Sequence, residues 1–120
     1  MIVGTGIDIA ECKRIEAVIS RQPHFMERIL TAEERKRLDG MTHHRKIEFI
    51  TGRFAIKEAF AKANGSGIGE AINWKDVEVF QSRSGAPRLV CPKLDDSIRV
   101  HASISHSRAY AIGQVILERP

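Results

Sequence analysis

The chain has 120 residues, of which 42% are hydrophobic and 28% are charged, and its formal net charge is +4. This length fits a single domain, 1–120, and this composition is that of a globular chain and not of a disordered one. No apolar run is long enough to cross a membrane, and the opening MIVGTGIDIA lacks the basic leader of a secretory signal.

The positive charge favours a phosphorylated ligand or an acidic protein partner. One Trp and one Tyr supply few stacking surfaces for nucleic acid, so no nucleic-acid partner is expected. A basic module that binds nucleic acid or an acidic protein is nevertheless the alternative to an enzyme. Cys12 and Cys91 lack the spacing of a zinc site, and a reducing, cytoplasmic location is expected.

The first half of the chain is predicted to be mainly helical after an initial strand over 2–9. A helix over 12–20 is ended by Pro23, and a short helical turn follows it. The pair Thr31 and Glu34 forms a capping box, which predicts a helix running to about Gly40.

Thr42 offers the N-cap of a long helix that ends near Asn64. Apolar side chains lie on much of the circumference of this helix, which predicts deep burial.

The second half of the chain is predicted to consist of strands. Strands over 77–81 and 88–91 are joined by a turn, residues 99–105 alternate between apolar and polar, and a last strand covers 109–118. The predicted class is therefore α+β, with helices packed on a mainly antiparallel sheet. A sheet of this size would expose edges and one face, which suggests oligomerisation.

Side chains and glycines that could bind a ligand or take part in a reaction are concentrated between residues 52 and 69. Glu58 and Lys62 are four apart and share a helix face, and Asn64 precedes a loop of three alternate glycines, from Gly65 to Gly69. A carboxylate, an ammonium and exposed loop amides suit a metal-bound phosphate. The alternative is a solvated helix followed by an ordinary flexible loop.

Two polar residues in strands are further candidates. Asp8 interrupts an apolar strand and, if it meets Glu58, would complete a two-carboxylate site that suits Mg²⁺. Alternatively, Asp8 caps the helix that begins near Cys12. His106 follows an alternating strand, where it could contact a phosphate, position a nucleophile or bond a nearby carbonyl group.

The segment between residues 13 and 28 mixes basic and apolar side chains. Such a surface could dock the acidic helix of another protein, although apolar residues of one amphipathic helix usually face the core. The candidate docking residues are Arg14, Val18, Arg21, Gln22, Phe25 and Arg28.

Three blocks in order resemble one family: Gly6-Ile-Asp8 with Arg14 after it, FAIKEAFAKANG over 54–65, and SISH over 103–106. Together they are similar to the holo-acyl-carrier-protein synthases, the small bacterial 4′-phosphopantetheinyl transferases, and the resemblance covers essentially the whole chain. It implies transfer of the 4′-phosphopantetheine arm of coenzyme A to a serine of apo acyl carrier protein, for fatty acid synthesis, with release of adenosine 3′,5′-bisphosphate.

The resemblance also implies roles for residues. Asp8 and Glu58 would bind Mg²⁺, and with Lys62, near the pyrophosphate, they would form the catalytic set. The coenzyme A pocket would be formed by Arg45, Arg53, Gly65, Ser66, Gly67, Ile68 and His106. It would lie between subunits of a homotrimer, with the basic first helix receiving the carrier protein. Ala61 departs from the family, which often has a hydroxyl residue there.

Overall fold

The computed structural model describes residues 1–69 and 71–120. Its helices are α1 (Cys12–Arg21), α2 (Phe25–Ile29), α3 (Ala32–Lys36) and α4 (His43–Ala63). Its strands are β1 (Ile2–Glu11), β2 (Glu78–Gln81), β3 (Pro87–Val90), β4 (Arg99–His106) and β5 (Tyr110–Glu118), and a 3-10 turn covers Trp74–Asp76. The predicted α+β class is confirmed.

The strands form two antiparallel sheets where the sequence suggested one. Strand β5 lies between β1 and β4 in a three-stranded sheet, and β2 pairs with β3 as a separate hairpin. No helix in the described ranges has the length and apolar character needed to cross a membrane.

Helix α4 lies directly on the three-stranded sheet because glycines face it. A Cβ atom added to Gly6 would lie 1.9 Å from the carbonyl oxygen of Ala59, and one added to Gly113 would lie 2.6 Å from the Cα atom of Ile56. Larger residues at these positions would push helix and strands apart. This close approach brings Asp8, two residues after Gly6, next to the C-terminal half of α4.

Alternation along the strands leaves the opposite face of the sheet apolar and open. Ile7 and Ile9 of β1 are each 60% exposed, and Ile112 of β5, which pairs with Ile9, is 39% exposed. Adjacent branched apolar side chains on an open sheet face are typical of a surface that meets another protein surface.

Both predicted helix starts are confirmed. The hydroxyl oxygen of Thr31 accepts from the backbone N–H of Glu34 at 3.2 Å, and the Glu34 carboxylate accepts from the N–H of Thr31 at 2.8 Å. At the start of α4, the Thr42 hydroxyl oxygen accepts from the N–H of Arg45 at 3.3 Å. Burial around most of the circumference of α4 is also as predicted.

Two local predictions are wrong. Helix α3 ends at Lys36 instead of near Gly40, because the N–H groups of Leu38 and Asp39 bond three residues back and Gly40 reverses the chain at a φ of +81°. Asp8 does not cap α1, because it lies inside β1 opposite Gly113, and the helix begins after Glu11.

A buried ion pair joins α4 to the rest of the helical layer. The ammonium group of Lys57 donates to the Glu34 carboxylate at 2.7 Å, to the carbonyl oxygen of Ile29 at 2.7 Å and to that of Trp74 at 3.1 Å. The second carboxylate oxygen of Glu34 accepts from the N–H of Val79 in β2 at 2.9 Å. Burial lowers the pKa of Lys57, and the attraction of Glu34 opposes that shift.

Candidate functional site

The first cluster lies where β1 meets the C-terminal half of α4. Lys62 donates from its ammonium group to the Asp8 carboxylate at 2.9 Å and to the carbonyl oxygen of Ile7 at 3.1 Å. The side chain of Asp8 is 17% exposed and that of Lys62 is 52% exposed. Asp8 is therefore held in place while Lys62 can reach solvent or a ligand.

Glu58 belongs to the same cluster. Burial raises the pKa of Glu58, the charge of Asp8 raises it further, and the charges of Lys62 and Arg14 oppose this. The two carboxylates thus repel each other, and a divalent cation would relieve that repulsion. Mg²⁺ is often held by one or two carboxylates plus substrate phosphates, so this donor set fits Mg²⁺. Across the described residues, no group of three or more His, Cys, Asp or Glu side chains forms a fuller metal site.

A loop follows directly from this end of α4. Gly65 and Gly67 have φ values of +79° and +65°, a backbone conformation that favours glycine at both positions. The N–H groups of Ser66 and Gly67 both donate to the carbonyl oxygen of Ala61 at 3.2 Å. Ala61 itself is fully buried, while Ile68 packs against the core. The start of the loop is therefore hydrogen-bonded to the last turns of the helix.

A second cluster surrounds a cavity of about 120 Å³ near the middle of α4. The charged and titratable residues that line it are Arg37, Arg45, Glu48, Arg53 and His106. The Glu48 carboxylate lies 3.7 Å from Arg45 and 3.9 Å from His106. His106 therefore lies near a carboxylate, and no hydrogen bond joins its ring to a backbone carbonyl group of the described residues. The cavity is below the usual range for whole small-molecule ligands, which indicates space for a single ionic group.

Arg53 is the buried member of the second cluster. It is 6% exposed, and its Nε and Nη2 atoms have no hydrogen-bond partner among the residues described. Its guanidinium carbon lies 4.2 Å from the centre of the Phe49 ring. Burial lowers its pKa to about 10. A buried cation with unused donors is costly, and an anion in the cavity would satisfy it.

The two clusters occupy different faces of α4. Arg53 and Glu58 are five residues apart, which places them about 8 Å apart along the helix axis and about 140° apart around it. The cavity that holds Arg53 and His106 is not lined by Asp8, Glu58, Lys62 or the 65–68 loop. The residues expected to share one site thus form two separate half-sites in a single chain.

The candidate docking residues are mostly on the surface. Arg14, Arg21, Gln22 and Arg28 are exposed, and Val18 is half-buried. Phe25 is 8% exposed and belongs to the core, with its ring 6.2 Å from that of Phe54. It therefore supports the basic surface from below and does not contribute to it.

Several pocket residues gave no signal in the sequence. Arg37 and Gln81 come together although they are 44 positions apart, and Glu48 lies on a helix whose charges look like an ordinary solvated face. The sequence shows that these side chains are charged or carry an amide, but no spacing in it indicates that the end of α3 lies beside β2.

Comparison with known proteins shows the family to which this chain belongs. The family model described as the 4′-phosphopantetheinyl transferase superfamily matches residues 4–115. Holo-[acyl-carrier-protein] synthase of Anoxybacillus flavithermus is 51% identical over 119 residues, covering 99% of this chain and 98% of that protein. The enzyme of the same name from Shouchella clausii is 52% identical over 118 residues, covering 98% of this chain and 99% of that protein.

Solved structures of the same family share the fold. The holo-(acyl-carrier-protein) synthase of Bacillus anthracis, in complex with CoA (3′,5′-ADP), superposes with a TM-score of 0.90 at 47% identity, covering 100% of this chain and 99% of that one. The chain therefore belongs to the holo-[acyl-carrier-protein] synthases within the 4′-phosphopantetheinyl transferase superfamily, and it is a transferase.

The two buried cations of α4 should differ sharply in their effect on stability. Replacing Lys57 with Met should lower the free energy of unfolding by about 3–5 kcal/mol, because Glu34 would stay buried without its cation. Replacing Arg53 with Met should change it by less than about 1 kcal/mol, since the loss of the contact with Phe49 is offset by the avoided desolvation.

Urea unfolding followed by circular dichroism at one fixed protein concentration measures both effects. Glu33→Gln is the matched control, since this carboxylate is 69% exposed and pairs with Lys36 on the surface. Equal losses in the Lys57 and Arg53 variants would contradict the contrast between a satisfied and an unsatisfied cation.

Proposed function

We propose that this protein transfers the 4′-phosphopantetheine arm of coenzyme A to a serine hydroxyl of apo acyl carrier protein. A bond forms between the serine oxygen and the phosphorus on the pantetheine side of the pyrophosphate. The bond from that phosphorus to the bridging oxygen breaks, and adenosine 3′,5′-bisphosphate leaves. The observation that carries the proposal is the convergence of Asp8, Glu58 and Lys62 in a chain that belongs to this family.

Asp8 and Glu58 are the residues that would hold Mg²⁺. When bound, the ion would neutralise pyrophosphate charge and make the phosphorus more electrophilic. Asp8 is fixed for this role by its place in β1 and by its contact with Lys62. The proton that the serine hydroxyl loses would pass to Glu58 or to a water molecule in the site.

Lys62 is proposed to bind the pyrophosphate and stabilise the charge that develops on the leaving group. Its ammonium group now bonds Asp8 and the carbonyl oxygen of Ile7, yet half of the side chain is exposed. One turn further along, the loop offers the Ser66 hydroxyl, because the N–H groups of Gly65, Ser66 and Gly67 already bond carbonyl oxygens of α4. Positioning and charge neutralisation of this kind account for most of the catalysis of phosphoryl-type transfer.

The cavity beside Arg53 is proposed to take the remaining phosphate of coenzyme A, the 3′-phosphate of its ribose. The pyrophosphate is assigned to Lys62, so the 3′-phosphate is the other anionic group that the substrate offers. The volume of about 120 Å³ suits one phosphate group but not a nucleoside. The unused donors of Arg53 support this assignment.

The reaction can be tested by intact-mass spectrometry of apo acyl carrier protein incubated with this protein and coenzyme A. We expect a mass gain of one phosphopantetheine arm with Mg²⁺ and none with chelator. Asp8→Ala and Glu58→Ala should each slow the transfer at least a hundredfold, because each removes one of two proposed metal ligands. Glu33→Ala, an exposed carboxylate away from the cluster, should leave the rate unchanged. Full activity of both site variants would refute the metal assignment.

We further propose that the complete site forms between copies of the chain in a homotrimer. Asp8, Glu58 and Lys62 of one copy would meet Arg53 and His106 of its neighbour. Two observations support this: the half-sites lie on different faces of α4, and the sheet face with Ile9 and Ile112 is apolar and exposed. Contact between such faces would remove apolar area from water.

Subunit complementation tests this arrangement. Asp8→Ala and Arg53→Met should each be poorly active alone at low coenzyme A concentration, whereas co-expression of the two should restore about a quarter of wild-type activity. The reason is that mixed trimers contain some sites in which both half-sites are intact. Light scattering should give about three times the chain mass of 13.5 kDa.

Ile112→Glu should dissociate the assembly, while Val90→Glu, a change at an exposed apolar residue of β3, should not. A wild-type monomer with full activity, or the absence of complementation, would refute the shared site.

The basic surface of α1 and α2 is proposed to receive the acidic carrier protein through Arg14, Arg21 and Arg28. Arg21→Glu should raise the Michaelis constant for the carrier severalfold and make it less sensitive to salt, with that for coenzyme A unchanged. Arg99→Glu on β4 reverses an exposed charge elsewhere and serves as the control. An unchanged constant for the carrier in Arg21→Glu would exclude this docking surface.

A cytoplasmic location is proposed together with this function. Cys12 and Cys91 are both unpaired and buried, as expected in a reducing compartment.

A further inference from the structure

Arg37 stands at the edge of the cavity that holds Arg53. It is the residue after α3, and its side chain lines the cavity together with those of Arg45 and Arg53. Its Nη2 atom donates to the side-chain oxygen of Gln81 in β2 at 2.8 Å. A long exposed side chain is thereby held by a neutral acceptor, and it forms no ion pair with a carboxylate among the described residues.

The neighbouring basic residues are held elsewhere. Arg35 donates to the carbonyl oxygen of Leu30 at 3.0 Å, and Lys36 pairs with Glu33 at 2.9 Å on the surface. Of these three consecutive basic residues, Arg37 is the one that lines the cavity.

The charges around the cavity do not balance. Glu48 lies 3.7 Å from Arg45 and therefore compensates that guanidinium. Arg37 and Arg53 remain as two cations that have no carboxylate hydrogen-bond partner among the described residues, and Gln81 and His106 lie beside them. Burial lowers the pKa of Arg53, the charge of Glu34 opposes that shift, and the charges of Arg37 and Arg45 lower the pKa further. Two guanidinium groups around one small cavity, neither hydrogen-bonded to a described carboxylate, match a dianion better than a monoanion.

We propose that Arg37, held in place by Gln81, is a further ligand-binding residue that makes this cavity select a phosphate monoester dianion. The inference rests on the proposed function, in which that group is the 3′-phosphate of coenzyme A. Arg53 binds the phosphate from the buried side and Arg37 binds it from the solvent side. The enzyme discriminates in this way between coenzyme A and dephospho-coenzyme A, which has a hydroxyl in place of the phosphate.

The test compares the affinities of the full-length protein for coenzyme A and for dephospho-coenzyme A, measured by titration calorimetry. The wild-type protein should prefer coenzyme A. Arg37→Ala should weaken coenzyme A binding about tenfold to a hundredfold, the range for one charged hydrogen bond, and leave dephospho-coenzyme A binding within about twofold. The ratio of the two affinities is the decisive quantity, because a general loss of structure would lower both.

Two further variants sharpen the result. Lys36→Ala removes a positive charge from the adjacent residue and should leave the ratio unchanged. Gln81→Met keeps the size of the side chain but removes the oxygen that accepts from Arg37. It should reduce the ratio less than Arg37→Ala does, because the charge of Arg37 remains although its side chain is no longer held in place.

An unchanged ratio in Arg37→Ala, or an equal loss for both compounds, would overturn the role of Arg37. Equal binding of the two compounds by the wild-type protein would overturn the assignment of the cavity. Failure of the wild-type protein to bind either compound, together with no transfer to the carrier, would refute the proposed function itself.

Discussion

The buried ion pair between Lys57 and Glu34 connects several separate elements of this fold. Through it, α4 is bonded to the end of α2, to α3, to the 3-10 turn before β2 and, by way of Glu34, to β2 itself. A buried ion pair of this kind adds little net stability over apolar packing, but the loss of one partner is costly. Its value here is geometric, because each hydrogen bond fixes a different element relative to one helix.

Helix α4 can therefore carry two chemically different clusters. On the sheet side, glycines bring its backbone against β1 and β5, which sets Asp8 beside Glu58 and Lys62. On the side of the β2–β3 hairpin, Arg53 is kept buried with two unused nitrogens. Lys57 shows that the fold can satisfy a buried cation on this helix, so the unsatisfied state of Arg53 points to a ligand and not to poor packing. Binding sites are where the rule that buried polar groups are hydrogen-bonded is commonly broken.

Much of this structure could be predicted from patterns within a few residues. The caps at Thr31 and Thr42, the alternation of the last strands and the glycine loop are all local signals, and all agree with the structure. The length of α3 and the contacts of Lys57 and Arg37 could not be predicted. Lys57 and Glu34 are 23 positions apart and Arg37 and Gln81 are 44 apart, so their pairing depends on how elements pack. The blocks that resemble the family named the candidate site residues and implied a pocket between subunits, but they did not indicate how those residues divide between the two faces of α4.

That separation has a consequence for how activity would depend on assembly. If the half-sites combine between copies, the open sheet face with Ile7, Ile9 and Ile112 is as necessary for transfer as the carboxylates, although it touches no substrate. The isolated chain would keep a carboxylate cluster that lacks the anion-binding cavity, and a cavity with no reacting group beside it. Coenzyme A bound across both would in turn join two copies, so binding of substrate and association of subunits would stabilise each other by mass action.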